Sequence, residues 1–147
     1  MQRASPPDTE QKGSSQAFFL SKDHKDALKD LAKRQDTSLF TLLLAAYQLL
    51  IHRLTGQHDI AIGTVLSDRN MPEVQRTLGN FLNTLIIRTD LAQAHNFSAL
   101  LKQVQSCVSQ ALAHAALPFD EMIKRIKRKN TKLEPIQAAF VLSLIHI

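Results

Sequence analysis

With 147 residues, 44% of them hydrophobic and 21% charged, the chain holds enough apolar material for one domain with a real core, taking ~100–200 residues per domain as the usual range. Four glycines and five prolines exclude a collagen-like or linker-like chain, and the single cysteine, Cys107, excludes an intramolecular disulfide framework and a multi-cysteine zinc site. Eighteen basic against thirteen acidic residues leave a formal charge of +5, much of it in the run KRIKRKNTK at residues 124–132.

Residues 1–15 are polar, with Pro6, Pro7, Gly13 and three serines, and read as a linker or tail. They contain no apolar stretch of the kind a secretory leader needs. Residues 16–20 (QAFFL) form a short apolar run expected to be a strand. Ser21 then stands as an N-cap before KDHKDALKDLAKR, where Ala27, Leu28, Leu31 and Ala32 make a narrow helical stripe.

Thr37 or Ser38 can cap a second helix over residues 39–54, which is apolar on nearly every side and belongs in the middle of a domain. Thr41, Gln48, His52 and Arg53 interrupt it, and a membrane span needs ~20 mostly apolar residues, so it reads as a buried core helix. The expected compartment is therefore the cytosol. Gly56 is placed to stop this helix.

DIAIGTVL at residues 59–66 is β-branched and too short for a helix, which predicts a buried strand. SDRNMPE reads as a polar connector with Pro72 at a turn or helix start, and residues 84–91 as a further strand. A long helix follows from Phe97 to about Ala115, with Phe97, Leu100, Leu101, Val104, Val108, Ala111 and Leu112 on one stripe. Cys107 lies on that stripe and reads as a small buried hydrophobe, since nothing near it in sequence lowers a thiol pKa.

Pro118 opens a fourth helix with Asp120 and Glu121 in its first turn and basic residues toward its end, the polarity that suits the helix dipole. Its basic run is a solvated helix end on one reading and a contact for nucleic acid, acidic lipid or acidic protein on the other. No aromatic residues interleave with it, which speaks against single-strand stacking. Residues 136–144 are expected to form a buried strand. The predicted order is strand, helix, helix, strand, strand, helix, helix, strand, a mixed α/β class.

No catalytic constellation is visible from residue types. The histidines at 24, 52, 58, 95, 114 and 146 include no pair at i, i+4 spacing for zinc. Phosphate-binding glycine loops and a nucleophile elbow are absent.

Three strings taken together resemble the nonribosomal peptide synthetase condensation domain, in its C-terminal lobe. SLFTLLLAAYQLLIHRLTGQHDIAIGT is similar to the family's long buried helix followed by a "tG-x-x-D-I-x-x-G" strand. LGNFLNTLIIRTDL is similar to "I-G-x-F-V-N-T-x-x-x-R", and HAALPFDEMI to "H-Q-D-L-P-F-E". They come in the family's order over residues 13–142. Departures are Val65 for a proline, Asn80 for an aromatic, and Ala115 and Ala116 for "Q-D". KNTKLEPI keeps little of "R-D-x-S-R-N-P-L", AAFVL resembles the "V-M-F-V-L" strand, and the residues after Leu142 do not match.

The resemblance implies one lobe of a two-lobed chloramphenicol-acetyltransferase-like fold, a mixed sheet covered by helices, spanning residues 16–147 as a partial domain truncated at both ends and poorly soluble alone. The family joins two carrier-bound thioesters by an amide bond, with substrates on phosphopantetheine arms delivered by carrier proteins and no cofactor bound directly. Its catalytic motif, H-H-x-x-x-D-G, lies in the N-terminal lobe, and no consecutive histidine pair exists here, so this chain is expected to be inactive alone. Alternatives are an epimerisation or cyclisation domain of the same superfamily, a non-catalytic carrier-binding lobe and, more distantly, a basic nucleic-acid-binding module.

The implied partners are carrier protein domains, the N-terminal lobe of the same domain and an adjacent adenylation domain, with no membrane and no nucleic acid. Candidates for the substrate tunnel or lobe interface are Arg69, Asp68, Asn83 and Thr84. Arg69 is either the arginine that pairs with the aspartate of the catalytic motif or a solvated loop residue. Asn83 either lines the tunnel or satisfies backbone groups where the strand begins. Gly63, Gly79, Phe81, His114, Pro118 and Phe119 are expected to be structural members of the motifs, and Arg88 a surface residue.

Overall fold

The computed structural model describes residues 13–67, 82–129, 136 and 138–143. Helix α1 (Lys22–Arg34) begins where the Ser21 hydroxyl accepts the His24 N–H, satisfying one of the donors a helix N-terminus leaves open. Of its predicted stripe, Ala32 is buried, Leu28 and Leu31 pack partly against the core, and Ala27 faces solvent. Helix α2 (Leu39–Thr55) is capped by Ser38 rather than Thr37, with the Ser38 Oγ accepting the Thr41 N–H at 3.0 Å. It ends at Gly56, whose φ of 70° is the left-handed geometry that a side chain would strain. Leu42, Leu44 and Ala45 of α2 are almost wholly buried, each large side chain contributing about 1.5–3 kcal/mol relative to exposure.

The two helices meet at a 102° bend, and no single helix among the described residues is long and apolar enough to cross a membrane. Strands β1 (Asp59–Ser67) and β2 (Leu82–Asp90) pair antiparallel along their whole length, from Asp59 opposite Asp90 to Ser67 opposite Leu82. Ile60, Ile62 and Thr64 face the core beside their partners Thr89, Ile87 and Leu85, as the two-residue period of a strand requires. A 3₁₀ turn (Leu91–Gln93) leads to α3 (Phe97–Ala113), which lays Leu100, Leu101 and Val104 onto that face. Its ends are wetter than the periodicity predicts, since Phe97 and Leu112 stay partly exposed. Helix α4 (Phe119–Lys129) follows Pro118, and β3 (Ala138–Ala139) adds a short parallel strand to β1, giving the order β2-β1-β3. The Phe140 ring then sits 5.5 Å from Phe40 and 5.7 Å from Tyr47, fastening this segment onto α2.

Two expected strands differ. Residues 16–20 form no strand: Phe18 is 82% and Phe19 95% exposed, and no ladder partner exists for them among the described residues. Apolar β-formers become a strand only when another backbone satisfies theirs. Of the long buried strand expected at 136–144, the described residues form only the two-residue β3, and Val141 beyond it is 62% exposed. Hydropathy marked that run, but among the described residues only Ala138 and Ala139 find pairing positions, opposite Ile62 and Gly63.

Candidate functional site

Asn83, near the start of β2, uses its whole side chain on backbone groups, three of them between Ala115 and Phe119, where α3 connects to α4, and the fourth on its neighbour Thr84. Its Nδ2 donates to the Ala115 carbonyl at 2.8 Å and to the Leu117 carbonyl at 3.1 Å. Its Oδ1 accepts the Phe119 N–H at 3.1 Å and the Thr84 N–H at 2.9 Å. Two donors and two acceptor lone pairs are all an asparagine amide has, so no part is left to bind a substrate. Of the two roles open to Asn83, the geometry is that of satisfying backbone groups.

The connection held this way contains the other motif residues. His114 caps α3, its backbone N–H reaching the Gln110 and Ala111 carbonyls and its Nδ1 lying 2.8 Å from the Gln110 carbonyl oxygen. The Pro118 carbonyl accepts the Glu121 and Met122 N–H groups, which starts α4. Phe119 is half-buried, with its N–H on Asn83. The "N-T" and "L-P-F" strings are therefore one tertiary unit. Gly63 belongs to a second contact: it is buried in β1, and a Cβ there would lie 3.0 Å from Ile136 Cγ2 and 3.1 Å from Ile136 Cδ1. Asp68, Arg69, Gly79 and Phe81 lie outside the described residues, as do the connector around Pro72 and the run beyond Lys129.

Arg88 points outward, as its place on the strand predicts. Its Nε donates to Asp59 Oδ1 at 2.8 Å and its Nη2 to Asp59 Oδ2 at 2.5 Å. Asp59 stands directly opposite Asp90, so the guanidinium lies diagonally across two like-charged neighbours. This hydrogen-bonded cation holds the Asp59 carboxyl below its ordinary pKa, and the carboxylate in turn raises that of Arg88.

An open depression of about 320 Å³ runs along β2 beneath α3 and α4, with Thr84, Ile86, Cys107, Ala111, Leu117 and Met122 among its lining. Cys107 is a half-buried free thiol there rather than a fully buried hydrophobe. Sequence reasoning missed this depression, because it arises from the open side of β2 and not from any motif. Among the described residues no group of three or more His, Cys, Asp or Glu side chains is gathered to hold a metal ion.

Comparison with known proteins places this unit. The family model described as "Condensation domain" matches residues 1–145. Phosphinothricin tripeptide synthetase PhsC of Streptomyces viridochromogenes is 36% identical over 132 residues, covering 88% of this chain and 12% of that protein. The N-(5-amino-5-carboxypentanoyl)-L-cysteinyl-D-valine synthase of Amycolatopsis lactamdurans is 34% identical over 132 residues, covering 89% of this chain and 4% of that protein. The chain thus spans only a small part of the curated relatives it matches.

Among solved structures, the four-domain nonribosomal peptide synthetase holo-AB3403, bound to AMP and glycine, superposes with a TM-score of 0.82 at 28% identity, over 90% of this chain and 10% of that one. SgcC5 from Streptomyces globisporus superposes with a TM-score of 0.69 at 32% identity, over 72% of this chain and 24% of that one. The three-stranded mixed sheet with helices packed on it is the fold of the solved condensation domains. By sequence and by fold, the chain belongs to the condensation-domain family.

Proposed function

We propose that this chain is the C-terminal lobe of a condensation domain in a nonribosomal peptide synthetase, and that the parent protein joins two carrier-bound thioesters by an amide bond. The observation that carries the reading is the Asn83 unit, which joins two of the three family motifs into one tertiary contact within a chain matched over residues 1–145. In this reading the acceptor amine attacks the donor thioester carbonyl, and the donor's thiol leaves with its carrier. Orienting that amine and stabilising the tetrahedral oxyanion are tasks for the H-H-x-x-x-D-G motif of the other lobe. This chain has no such histidine pair, and we assign it no catalytic residue. Its contribution is a wall of the substrate tunnel, and carrier proteins bring the phosphopantetheine arms to it. Adjacent adenylation and carrier domains, and a cytoplasmic setting, belong to the same proposal.

Arg69, with Asp68 beside it, is assigned to the lobe interface, where the arginine pairs with the aspartate of the catalytic motif. Thr84 is kept as a tunnel-lining candidate because it borders the depression on β2.

Reconstitution tests the reading. A synthetase containing this chain, supplied with aminoacylated donor and acceptor carrier proteins, is expected to give the amide by mass spectrometry, and the isolated chain none. Arg69→Ala in the synthetase should lower the yield at least tenfold. Solvent deuterium entering the donor α-carbon without amide formation would assign epimerisation and overturn the proposal.

A further inference from the structure

The six histidines are scattered along the sequence, yet the fold brings His52 and His58 ring to ring. His52 lies in the last turn of α2 and His58 immediately before β1. Their ring centroids are 4.6 Å apart, with 44° between the ring planes. A spacing of i, i+6 is no metal signature within one helix, so sequence periodicity does not announce the pair. The left-handed turn at Gly56 makes it, by folding the chain back past the helix end.

Both backbones are held. The His52 carbonyl accepts the Gly56 N–H at 2.7 Å, and the His58 carbonyl accepts the Leu91 N–H at 2.8 Å. Thr55 stiffens the turn between them, its Oγ1 donating to the Ile51 carbonyl at 2.8 Å and accepting the Gln57 N–H at 3.2 Å.

The His52 ring is set as a ligand. Its Nδ1 lies 2.7 Å from the Gln57 carbonyl oxygen, which can only accept, so Nδ1 carries the proton and Nε2 keeps its lone pair. A carbonyl on the far nitrogen is the usual support of a metal-binding histidine, because it fixes the tautomer and makes the free nitrogen more basic. His58 is exposed beside it, and solvent reaches the pair.

Imidazole nitrogens bind a first-row metal at about 2.0–2.1 Å, which puts each ring centroid ~3.2 Å from the ion. Two such bonds meeting at a right angle separate the centroids by ~4.5 Å, and at the tetrahedral angle by ~5.2 Å. The observed 4.6 Å falls at the right-angle value, that of neighbouring positions in the tetragonal geometry of Cu2+. Charge favours a cation too, since His52 stands at the negative end of the α2 dipole and Asp90 neighbours the Leu91 that holds His58.

We propose that His52 and His58 form a two-histidine site for a late first-row divalent metal ion, tightest for Cu2+, which clamps the end of α2 to the start of β1. Among the described residues no third His, Cys, Asp or Glu completes the set, so water fills the remaining positions.

Calorimetric titration of the full chain with CuCl2 should give one Cu2+ per chain, and electron paramagnetic resonance should show coupling to imidazole nitrogens. The background carries Cys107→Ser, which removes the free thiol that reduces Cu2+. His58→Ala, at an exposed position, should weaken binding about tenfold or more with an unchanged circular dichroism spectrum, and His52→Ala should match it. His24→Ala and His95→Ala, both exposed, should leave the affinity as it is. Equal affinity in His58→Ala and the parent overturns the proposal, as does one ion per two chains, the mark of bridging between copies. In a synthetase containing this chain, His52→Ala with His58→Ala should remove one bound Cu2+ per polypeptide. An unchanged count there overturns it too.

Discussion

Asn83 holds the Phe119 N–H at 3.1 Å while its own amide nitrogen donates to the Ala115 and Leu117 carbonyls, so a residue at the start of a strand sets the entry of a helix 36 residues later. The contact fixes how α4 approaches the sheet, because Pro118 and Phe119 cannot shift without breaking it. Such a side chain works as a fourfold connector, and loss of any one partner leaves a part-buried polar group unpaired.

Asn83→Ala is therefore expected to destabilise the chain by about 2 kcal/mol, since each typical hydrogen bond nets about 0.5–1.5 kcal/mol and several go at once. Asn83→Asp keeps the shape but sets a carboxylate against two carbonyl oxygens, and should be at least as damaging. Urea unfolding measures both. A loss below about 0.5 kcal/mol, the ordinary surface range, would show that the connector is dispensable.

The same geometry explains what the sequence could and could not disclose. Ser21, Ser38, Gly56 and Pro118 act on residues within one helical turn, so their signals were legible and the helix boundaries followed. The apolar stripe of α3 and the strand character of β1 and β2 were legible for the same local reason. The motif strings identified the family, but Asn83's role required partners 32 to 36 residues away, and no period or cap announces them. The failures at 16–20 and 136–144 share that origin. Hydropathy says that a segment can be a strand, while pairing decides whether it is one.

Gly63 carries a second prediction, and it rests on space rather than backbone freedom. Ile136 lies so close that the Cβ of Gly63→Ala would meet its side chain at 3.0 and 3.1 Å, tighter than ordinary contact. Overpacking of this kind costs about 1–3 kcal/mol. Ile136→Ala in the same chain should recover part of the loss, giving a favourable coupling in a double-mutant cycle. Strictly additive costs would mean that the two residues do not share the space.

The Asp59–Arg88 pair predicts a pH dependence. The folded carboxyl has its pKa lowered by the guanidinium, so its contribution is present above the unfolded value of about 3.9 and fades as pH falls through the lower folded value. Both side chains are more than half exposed, which keeps the pair within the ~0–1 kcal/mol of surface ion pairs. Arg88→Met should lower stability by that amount at neutral pH, and the difference from the parent chain should vanish in strong acid and shrink in high salt. Stability curves measured across pH check this. A difference that persists below the folded pKa would trace the role of Arg88 to packing of its aliphatic stem instead.

Gln48 is fully buried in α2, and neither its Nε2 nor its Oε1 has a hydrogen-bond partner among the described residues. It sits on the helix that contributes Leu42, Leu44 and Ala45 to the core, and it is as fully buried as they are. An unmet buried polar group costs about 1–3 kcal/mol, and methionine has nearly the same length and flexibility without the polar atoms. Gln48→Met is expected to stabilise the chain by about 1 kcal/mol, read as a higher urea midpoint at unchanged slope. Gln48→Glu supplies the opposite arm, because a carboxyl there must either stay protonated or drag a charge into the core. The chain carrying it should be most stable at low pH and lose stability as pH rises, the reverse of the trend set by Asp59. A destabilised Gln48→Met chain would instead show that the amide is held by an internal water, which high-resolution density at Nε2 and Oε1 would reveal directly.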